Sequence, residues 1–449
     1  MTVLIEAGWV IPEARRESVI RHGAVLVSGA RIVEVGTAAD LRQKHPDVEV
    51  LQLPHSAVMP GLVNTHTHLV GGFNKAITED ISGHGLFRRA RPLQEDYVRA
   101  QDVYYPGMVH AMEMLKTGTT TINENWMHQQ ESAKIARDLG IRAVVAEMVR
   151  EVTLSSPKAG STERAWDRSL AQRGLDLSVE LIEQWHGAAE GRITCRMGPH
   201  APDMLSEWGF QQVLALAQKY DIGIHMHLAQ VPGEREQVMQ AQGLTPVQYM
   251  HRLGVLGPRT IGVHCVFMSD DDVRLMSDTR TAMSHTAYLV GKRGYFPPMG
   301  KIYASDVQVS LGSDWCSNDM WKIMRSAIIL ARVTEGKSDI LTGYDALRLA
   351  TIEGARALGL DADIGTLEAG KKADLIAVNM RRAWMQPIRD ADVITNLVYN
   401  ANGSDVTHVM VDGKLVVDEG RLMTLDEDAV FDEAQRVAED VWGRAAALF

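Results

Sequence analysis

Hydrophobic and polar positions alternate in short runs near both ends of the chain. The stretch AVLVSGARIVEVG, with a Ser-Gly turn inside it, is typical of antiparallel strands joined by a tight connection. Near the other end, VTHVMVDGKLVVDEGRLM repeats the pattern around an Asp-Gly turn. The alternation therefore predicts a small β-sandwich assembled from residues 1–58 and 366–425, followed by an amphipathic helix over 426–449.

Residues 59–365 show a different pattern, in which short apolar runs alternate with stretches of helical periodicity. Repetition of a strand and then a helix predicts parallel βα units, and eight candidate strands suit a (β/α)8 barrel of the TIM type. Active sites of such barrels lie at the carboxyl ends of the strands. The residues that end each apolar run are therefore the first candidates for chemistry.

Five residues with metal-binding side chains stand at the ends of these runs. His66 and His68 end the first run, and they point the same way because alternate residues of a strand share one face. His227, His264 and Asp314 end three later runs. Imidazole and carboxylate are both common metal ligands. Any one of these histidines alone could be structural, but their joint placement predicts a shared metal centre.

Composition narrows the class of partner. The chain has 449 residues and a formal net charge of −11, which argues against nucleic acid or an anionic membrane as the main partner. No apolar stretch reaches the ~18–20 residues needed to span a bilayer, and the N-terminus does not read as a signal peptide. Three scattered cysteines without a CxxC pair argue against a disulfide scaffold. We therefore expect a cytoplasmic protein that acts on a small molecule.

Several stretches, in the order in which they occur, resemble the amidohydrolase superfamily and within it the aminohydrolase and triazine-hydrolase group. They are PGLVNTHTHL, TGTTT, GPHAP, HMHLAQ, GVHCVFMSDDDVRLM, LGSDWCSNDMWKIMRSA and IGTLEAGKKADLIAV. The resemblance implies a water-activating hydrolase with one divalent ion, zinc first and iron, cobalt or manganese as alternatives. A mononuclear site is expected because no lysine stands where binuclear members carry a carbamylated bridge. The resemblance also implies a homodimer or larger homo-oligomer.

The same resemblance implies a role for each predicted ligand. His66 and His68 match the metal-binding HxH pair, and His227 matches the next ligand. His264 matches a histidine that contacts the bound water or the substrate and is sometimes a weak ligand. Asp314 matches an aspartate that approaches the metal and accepts a proton from water. The implied reaction is hydrolysis of a C–N bond at a C=N or C=O carbon, by heterocycle deamination or by cleavage of an amide or carbamate.

Gln230 departs from the pattern of the group, in which a glutamate at this position protonates a ring nitrogen. Glutamine can donate a hydrogen bond but cannot supply a proton. His285 or His200 could act as the acid instead, and Glu234 or Glu236 could fold back. A substrate that needs no ring protonation keeps open dechlorination or C–S cleavage, as in a chlorotriazine or a thiocarbamate. A non-catalytic binding protein on the same fold is a further alternative, and Gln230 could also be a plain wall residue.

The predicted substrate contacts lie beside the strand ends, where a few polar groups and aromatic rings typically line a pocket. They are Gln230, His200, His285, Trp126, Trp315 and Asn318. Further candidates are Met127, Tyr288 and Asp319, together with His84 and Phe87 in a glycine-containing segment that could cover the barrel mouth. His225 is expected to support the strand or a ligand. Aromatic residues at these positions could equally be ordinary packing.

Overall fold

The structure is a computed structural model that describes residues 2–77, 89–154, 165–315 and 317–449. His84, Phe87 and Cys316 lie outside the described residues, so the predicted cover over the barrel mouth is not described. At the centre is a barrel of eight parallel strands, the fourth of which is formed by two short segments. The strands are Leu62–Thr67, Thr119–Trp126, Arg142–Val149, Ile193–Cys195 with Gly198–Pro199, Ile224–Leu228, Thr260–His264, Ala282–His285 and Val309–Leu311.

Two isolated bridges join the halves of this barrel. Strands one to four pair in order, as do strands five to eight. Met197 bridges to Ile224 between the halves, and Thr67 bridges to Asp314 to close the circle. The predicted (β/α)8 architecture is therefore confirmed, and the closing bridge involves a residue predicted to act in the site.

Helices surround the barrel, and short polar side chains begin several of them. Ser206 and Ser269, for example, each accept a hydrogen bond from a backbone N–H of the following first turn. Gly140 and Gly243 end two helices at φ of 85° and 68°, where a side chain would be strained. The helices of this layer are Ala100–Lys116, Gln129–Leu139, Arg168–Trp185, Glu207–Lys219, Pro232–Gln242, Pro246–Arg252, Asp270–Asp278, Ala287–Lys292, Met299–Tyr303, Met320–Glu335, Gly343–Leu349 and Ile352–Leu358.

Nine strands from both chain ends form one further sheet, as the alternating patterns at the two ends predicted. Within it, Glu49–Pro60 pairs in parallel with Thr2–Val10 and antiparallel with Leu375–Asn379. All nine strands are hydrogen-bonded into a single sheet. The exact domain boundaries stay a prediction. The remaining strands are Ile20–Arg21, Gly23–Ser28, Arg31–Thr37, Val406–Val411, Lys414–Asp418 and Arg421–Leu422.

The terminal sheet leads directly into the barrel through Gly61. A Cβ on this glycine would lie 2.1 Å from the hydroxyl oxygen of Thr120, so only glycine fits there without movement. Nearby, the buried guanidinium of Arg142 donates two hydrogen bonds of 2.8 and 3.0 Å to the carboxylate of Asp374. This bidentate pair ties the third barrel strand to the sheet.

The C-terminal helix Glu427–Arg444 packs on the barrel helix Ala100–Lys116. Arg444 pairs with Asp102, and Lys116 pairs with Glu427. Two further helices, Ala38–Lys44 and Val393–Asn400, accompany the terminal sheet. Across the part of the chain that the structure describes, every helix is too short or too polar to cross a membrane.

Candidate metal centre

The five predicted ligands meet at the carboxyl ends of the barrel strands. The ring centroids of His66 and His68 are 4.5 Å apart, those of His66 and His227 5.0 Å, and those of His227 and His264 5.3 Å. All three histidine pairs join side chains that are at least 96% buried, and Asp314 is equally buried. Residues scattered over about 250 positions of sequence therefore share one enclosed space.

Barrel closure is what places Asp314 in this cluster. The backbone N–H groups of Ser313 and Asp314 donate to the carbonyl oxygen of His66 at 3.0 and 2.9 Å. The hydroxyl of Thr67 donates to the carbonyl of Asp314 at 3.0 Å. Asp314 itself adopts φ of 60°, a left-handed conformation that is uncommon for residues other than glycine. The first and last strands thus hold the carboxylate against the HxH pair.

The distances within the cluster suit a central ion. Nε2 of His66 and Nε2 of His264 lie 3.5 and 3.6 Å from Oδ2 of Asp314, and Nε2 of His68 lies 3.8 Å from Oδ1. Two ligands that are each about 2.1 Å from one tetrahedral ion are about 3.4 Å apart. The Nε2 atom of His66 is buried and has no hydrogen-bond partner among the described residues, so it is available to a metal.

The other ring nitrogen of three histidines is held by a neighbour. When Nδ1 donates to such a partner, the proton is fixed there and the Nε2 lone pair faces the cluster. A backbone carbonyl can only accept, so the contact of His227 with the His200 carbonyl shows that His227 Nδ1 is the donor. The partners of His66 and His264 can either donate or accept. The contacts are His66 Nδ1 with His225 Nε2 at 2.9 Å, His227 Nδ1 with the His200 carbonyl at 3.0 Å, and His264 Nδ1 with the Thr286 hydroxyl at 2.7 Å.

Burial sets the protonation of the cluster. Loss of solvation lowers the pKa of His68 to about 3, and it lowers the pKa values of His227 and His264 well below the ordinary range. Burial alone would raise the pKa of Asp314, but the contact with His66 and the neighbouring imidazoles hold it below its usual value. Neutral imidazoles and an ionised carboxylate are the forms that bind a divalent cation.

A cavity adjoins the cluster, and four of the six predicted substrate contacts line it. These four are Gln230, His200, Trp126 and Trp315. The indole of Trp126 lies 4.5 Å from the ring of His68, between centroids. Three further lining residues, Arg91, Gln94 and Arg293, were missed by the sequence analysis. Gln94 lies in the short helical turn Leu93–Tyr97, Arg91 stands just before it, and Arg293 directly follows the helix Ala287–Lys292. None of the three ends an apolar run, so no local pattern in the sequence marks them as cavity residues.

Asn318 and His285 do not line this cavity. The amide of Asn318 donates to a carboxylate oxygen of Glu113 at 3.0 Å, so it is turned toward the helix Ala100–Lys116. His285 is buried at the end of the seventh strand, and burial lowers its pKa to about 4. Neither Glu234 nor Glu236 is among the described residues that line the cavity. Glu236 is exposed on its helix.

Glu234 has a different function from the one that the sequence suggested. Its carboxylate accepts the backbone N–H groups of Ala229 and Gln230, both at 2.7 Å. Ala229 adopts φ of 51°, so the chain turns sharply just after the fifth strand. Glu234 therefore holds the turn that presents Gln230 to the cavity.

The remaining candidates have structural surroundings. Met127 is half-buried, Tyr288 is exposed, and neither lines the cavity. The carboxylate of Asp319 accepts the backbone N–H of Trp321 at 2.9 Å and begins the helix Met320–Glu335. Burial raises the pKa of the Cys195 thiol to about 12, which fits an unreactive cysteine.

Comparison with known proteins identifies the family of this chain. Residues 57–416 match the model of the amidohydrolase family, and residues 23–47 match a bacterial imidazolonepropionase-like composite domain. The chain is 31% identical to a 5-methylthioadenosine/S-adenosylhomocysteine deaminase of Moorella thermoacetica, over 93% of this chain and 95% of the relative. It is 30% identical to a 5′-deoxyadenosine deaminase of Methanosarcina acetivorans, over 99% of both chains.

Solved structures agree with this fold. An adenosine deaminase from Xanthomonas campestris with bound zinc superposes with a TM-score of 0.88 at 28% identity, over 98% of both chains. The atrazine chlorohydrolase of Arthrobacter aurescens, at 21% identity and a TM-score of 0.86 over 97% of this chain and all of that one, supports the fold alone. The chain therefore belongs to the amidohydrolase family and is a metal-dependent hydrolase that acts on C–N bonds.

Proposed function

We propose that this chain holds a single divalent ion, zinc first, and hydrolytically releases ammonia or an amine from an amino-substituted C=N carbon of a small molecule. The observation that carries the proposal is the convergence of the Nε2 atoms of His66, His68 and His264 on the carboxylate of Asp314. His227 completes the donor set beside them. Curated relatives named as deaminases of adenosine-type compounds support an aminated heterocycle as the substrate class.

The donor set fits the ion. Three imidazoles and one carboxylate match the nitrogen and oxygen ligands that zinc takes in catalytic sites, and iron, cobalt and manganese accept the same set. His66, His68, His227 and Asp314 would hold the ion, with His264 at its edge. When bound, the ion supplies a Lewis acid that lowers the pKa of a water molecule from about 15.7 toward ~7.

In this proposal Asp314 accepts the proton of the attacking water. Its Oδ1 already accepts the backbone N–H of Trp315 at 2.8 Å, while Oδ2 faces His66 and His264. The proton taken up at Oδ2 passes to the leaving nitrogen, with Nε2 of His264 close enough to relay it. One water is consumed, the C–N bond breaks, a carbonyl compound forms and ammonia or an amine leaves, so atoms and protons balance.

Gln230 supplies a hydrogen bond rather than a proton in this scheme. It lines the cavity, and its backbone is fixed by Glu234. Its side-chain amide can donate to a substrate heteroatom and orient the C=N bond toward the water. No observation specifically favours dechlorination, C–S cleavage or a non-catalytic role. The homo-oligomeric state and the cytoplasmic location stay predictions.

Metal removal and restoration test the proposal. The full chain is depleted with a chelator and reloaded with Zn2+, Fe2+, Co2+ or Mn2+, and ammonia release is followed with 5′-deoxyadenosine, adenosine and aminopyrimidines. We expect activity to disappear and to return with one equivalent of metal per chain, counted by elemental analysis. Full activity of the depleted protein would contradict the proposal.

A carboxylate substitution separates proton transfer from metal binding. Asp314→Asn is expected to lower kcat by about 100-fold to 10,000-fold, because the amide cannot accept the proton. Asp306→Asn is the matched control, since Asp306 is exposed just before the last barrel strand. Retention of wild-type kcat by Asp314→Asn at full metal occupancy would assign the proton transfer to another group.

A further inference from the structure

Arg293 brings a positive charge to the wall of the metal-site cavity. It follows the short helix Ala287–Lys292, and its backbone N–H bonds to the carbonyl of Leu289 at 3.0 Å. The side chain is half-buried. The guanidinium therefore borders the same cavity as His264 and Asp314.

This guanidinium has no partner within the described part of the chain. Across residues 2–77, 89–154, 165–315 and 317–449, no carboxylate pairs with Arg293 and no side-chain hydrogen bond holds it. Two more deeply buried arginines do have carboxylate partners: Arg142 pairs with Asp374 at 2.8 Å, and Arg150 pairs with Glu95 at 2.7 Å. The half-buried Arg293 guanidinium therefore keeps donors free that an anionic group from outside the chain can accept.

The charges around the cavity point to the sign of that group. Arg293 lines it, as does Arg91, which has an interaction of its own, and Asp314 is the sole acidic side chain among the described lining residues. The carboxylate of Asp314 faces the histidine cluster, and Gln230 adds no charge. Arg293 thus places a cation on the wall of the cavity, although the chain as a whole carries −11. A cation on the wall of a low-dielectric cleft attracts ligands of negative charge.

We propose that the substrate carries a carboxylate, which Arg293 binds while the C–N bond lies at the metal centre. A planar guanidinium matches a carboxylate with two parallel hydrogen bonds, a geometry that a lysine does not offer. Gln230 is compatible with such a substrate because a neutral amide does not repel the anion. This inference rests on the proposed function, since it names the substrate class of that same site.

Matched neutral and anionic probes test the charge preference. The zinc-loaded full chain is assayed for ammonia release with 4-aminopyrimidine-5-carboxylate and its 5-carboxamide, and with adenosine 5′-phosphate and adenosine. Calorimetric titration with the same compounds reports binding where turnover is absent. We expect the carboxylate to be preferred over the carboxamide by about 10-fold to 100-fold in kcat/KM or in Kd.

Substitutions assign this preference to Arg293. Arg293→Gln is expected to abolish it by raising KM for the carboxylate with little change for the carboxamide, and Arg293→Lys to retain part of it. Lys292→Gln is the matched control, because Lys292 is an exposed cation next in sequence that does not line the cavity. Should Arg293→Gln not fold, Arg293→Lys keeps the charge and still removes the bidentate geometry.

The outcomes separate this inference from the proposed function. Equal kcat/KM and equal Kd for carboxylate and carboxamide, or an unchanged preference in Arg293→Gln, overturns the inference, even if neutral amines are deaminated as proposed. A preference for the phosphate over the carboxylate also overturns it and assigns a phosphate instead. Tighter carboxylate binding through Arg293 with no ammonia released from any compound supports the inference and rejects the deaminase chemistry.

Discussion

Replacing His225 should weaken metal binding although His225 is not a predicted ligand. Its ring is fully buried, and its Nε2 lies 2.9 Å from Nδ1 of His66. For His66 to bind an ion through Nε2, its proton must sit on Nδ1, and His225 must accept it. Burial holds the pKa of His225 well below its ordinary value, so this ring is neutral and has a lone pair to offer.

Two estimates give the size of the effect. A buried N–H that loses its acceptor costs about 1–3 kcal/mol, which corresponds to roughly 5-fold to 150-fold in an equilibrium constant. Loss of a partner behind a metal-bound histidine typically costs about 10-fold to 100-fold in metal affinity. The metal-free protein loses the same hydrogen bond, so zinc affinity falls only because the bond matters more in the metal-bound protein. A cation at Nε2 makes the Nδ1–H of His66 a stronger donor, and without the cation His66 can move its proton from Nδ1 to Nε2.

The assay is a zinc titration against a chelating competitor. His225→Leu is expected to raise the zinc Kd by about 10-fold to 100-fold, and His225→Asn, which keeps an acceptor, by less. His408→Leu is the control, because His408 is a largely buried histidine of the terminal sheet that pairs with Asp418. A folded His225→Leu protein whose zinc Kd stays within about 3-fold of wild type would refute the tautomer argument.

Two further outcomes follow from groups around the site. Gln230→Glu should lower the native activity by about 10-fold or more, since it adds a negative charge to the cavity and replaces a donor with an acceptor; a large gain in kcat/KM would refute this. Burial raises the pKa of Glu124 to about 8, although Gln129 donates to it at 2.8 Å. Because the pKa of this carboxyl is higher in the folded than in the unfolded chain, the wild-type protein loses stability as pH rises from about 4.5 through 8. Glutamine does not titrate, so the Tm of Glu124→Gln minus that of wild type should increase between pH 5 and pH 9. A Tm difference that does not vary with pH would contradict that assignment.

The sequence was sufficient for the barrel and for the convergence of the ligands. His66 and His68 are separated by two positions in an apolar run, which fixes them on one face of a strand. His227, His264 and Asp314 each end a run, and parallel strands of a closed barrel bring such ends to one rim. Both arguments use only local periodicity and a topology, so they do not depend on side-chain detail.

Side-chain direction and long-range pairing were beyond the sequence. Asn318 follows Asp314 closely in the same loop, yet its amide is taken by Glu113, a residue about 200 positions away in the chain. Glu234 lies four residues after Gln230 and could have pointed into the cavity, but two backbone N–H groups of the turn compete for it. Arg293 could be recognised only from the absence of a carboxylate near it in the folded, described chain. The hydrogen-bond partner of such a side chain depends on which group lies closest to it in the folded chain, and the hydrophobic periodicity of the sequence does not predict this.

The bonds that close the barrel are also the bonds that build the site. The amide of Asn64 donates to the hydroxyl of Ser313 at 2.7 Å and accepts the Ser313 backbone N–H at 3.0 Å. A Cβ on Gly312 would lie 2.8 Å from Cβ of His66, so the eighth strand approaches the first as closely as the absence of a side chain permits. Any opening of this seam therefore moves Asp314 away from His66 before it disturbs the other imidazoles. Asp314, the proposed proton acceptor, is in this way the predicted ligand most directly coupled to the integrity of the fold. Gln230 and Arg293 stand on a turn and at a helix end, which can change without opening the barrel. Charge selection by the cavity can consequently vary while the hydrolytic centre remains intact.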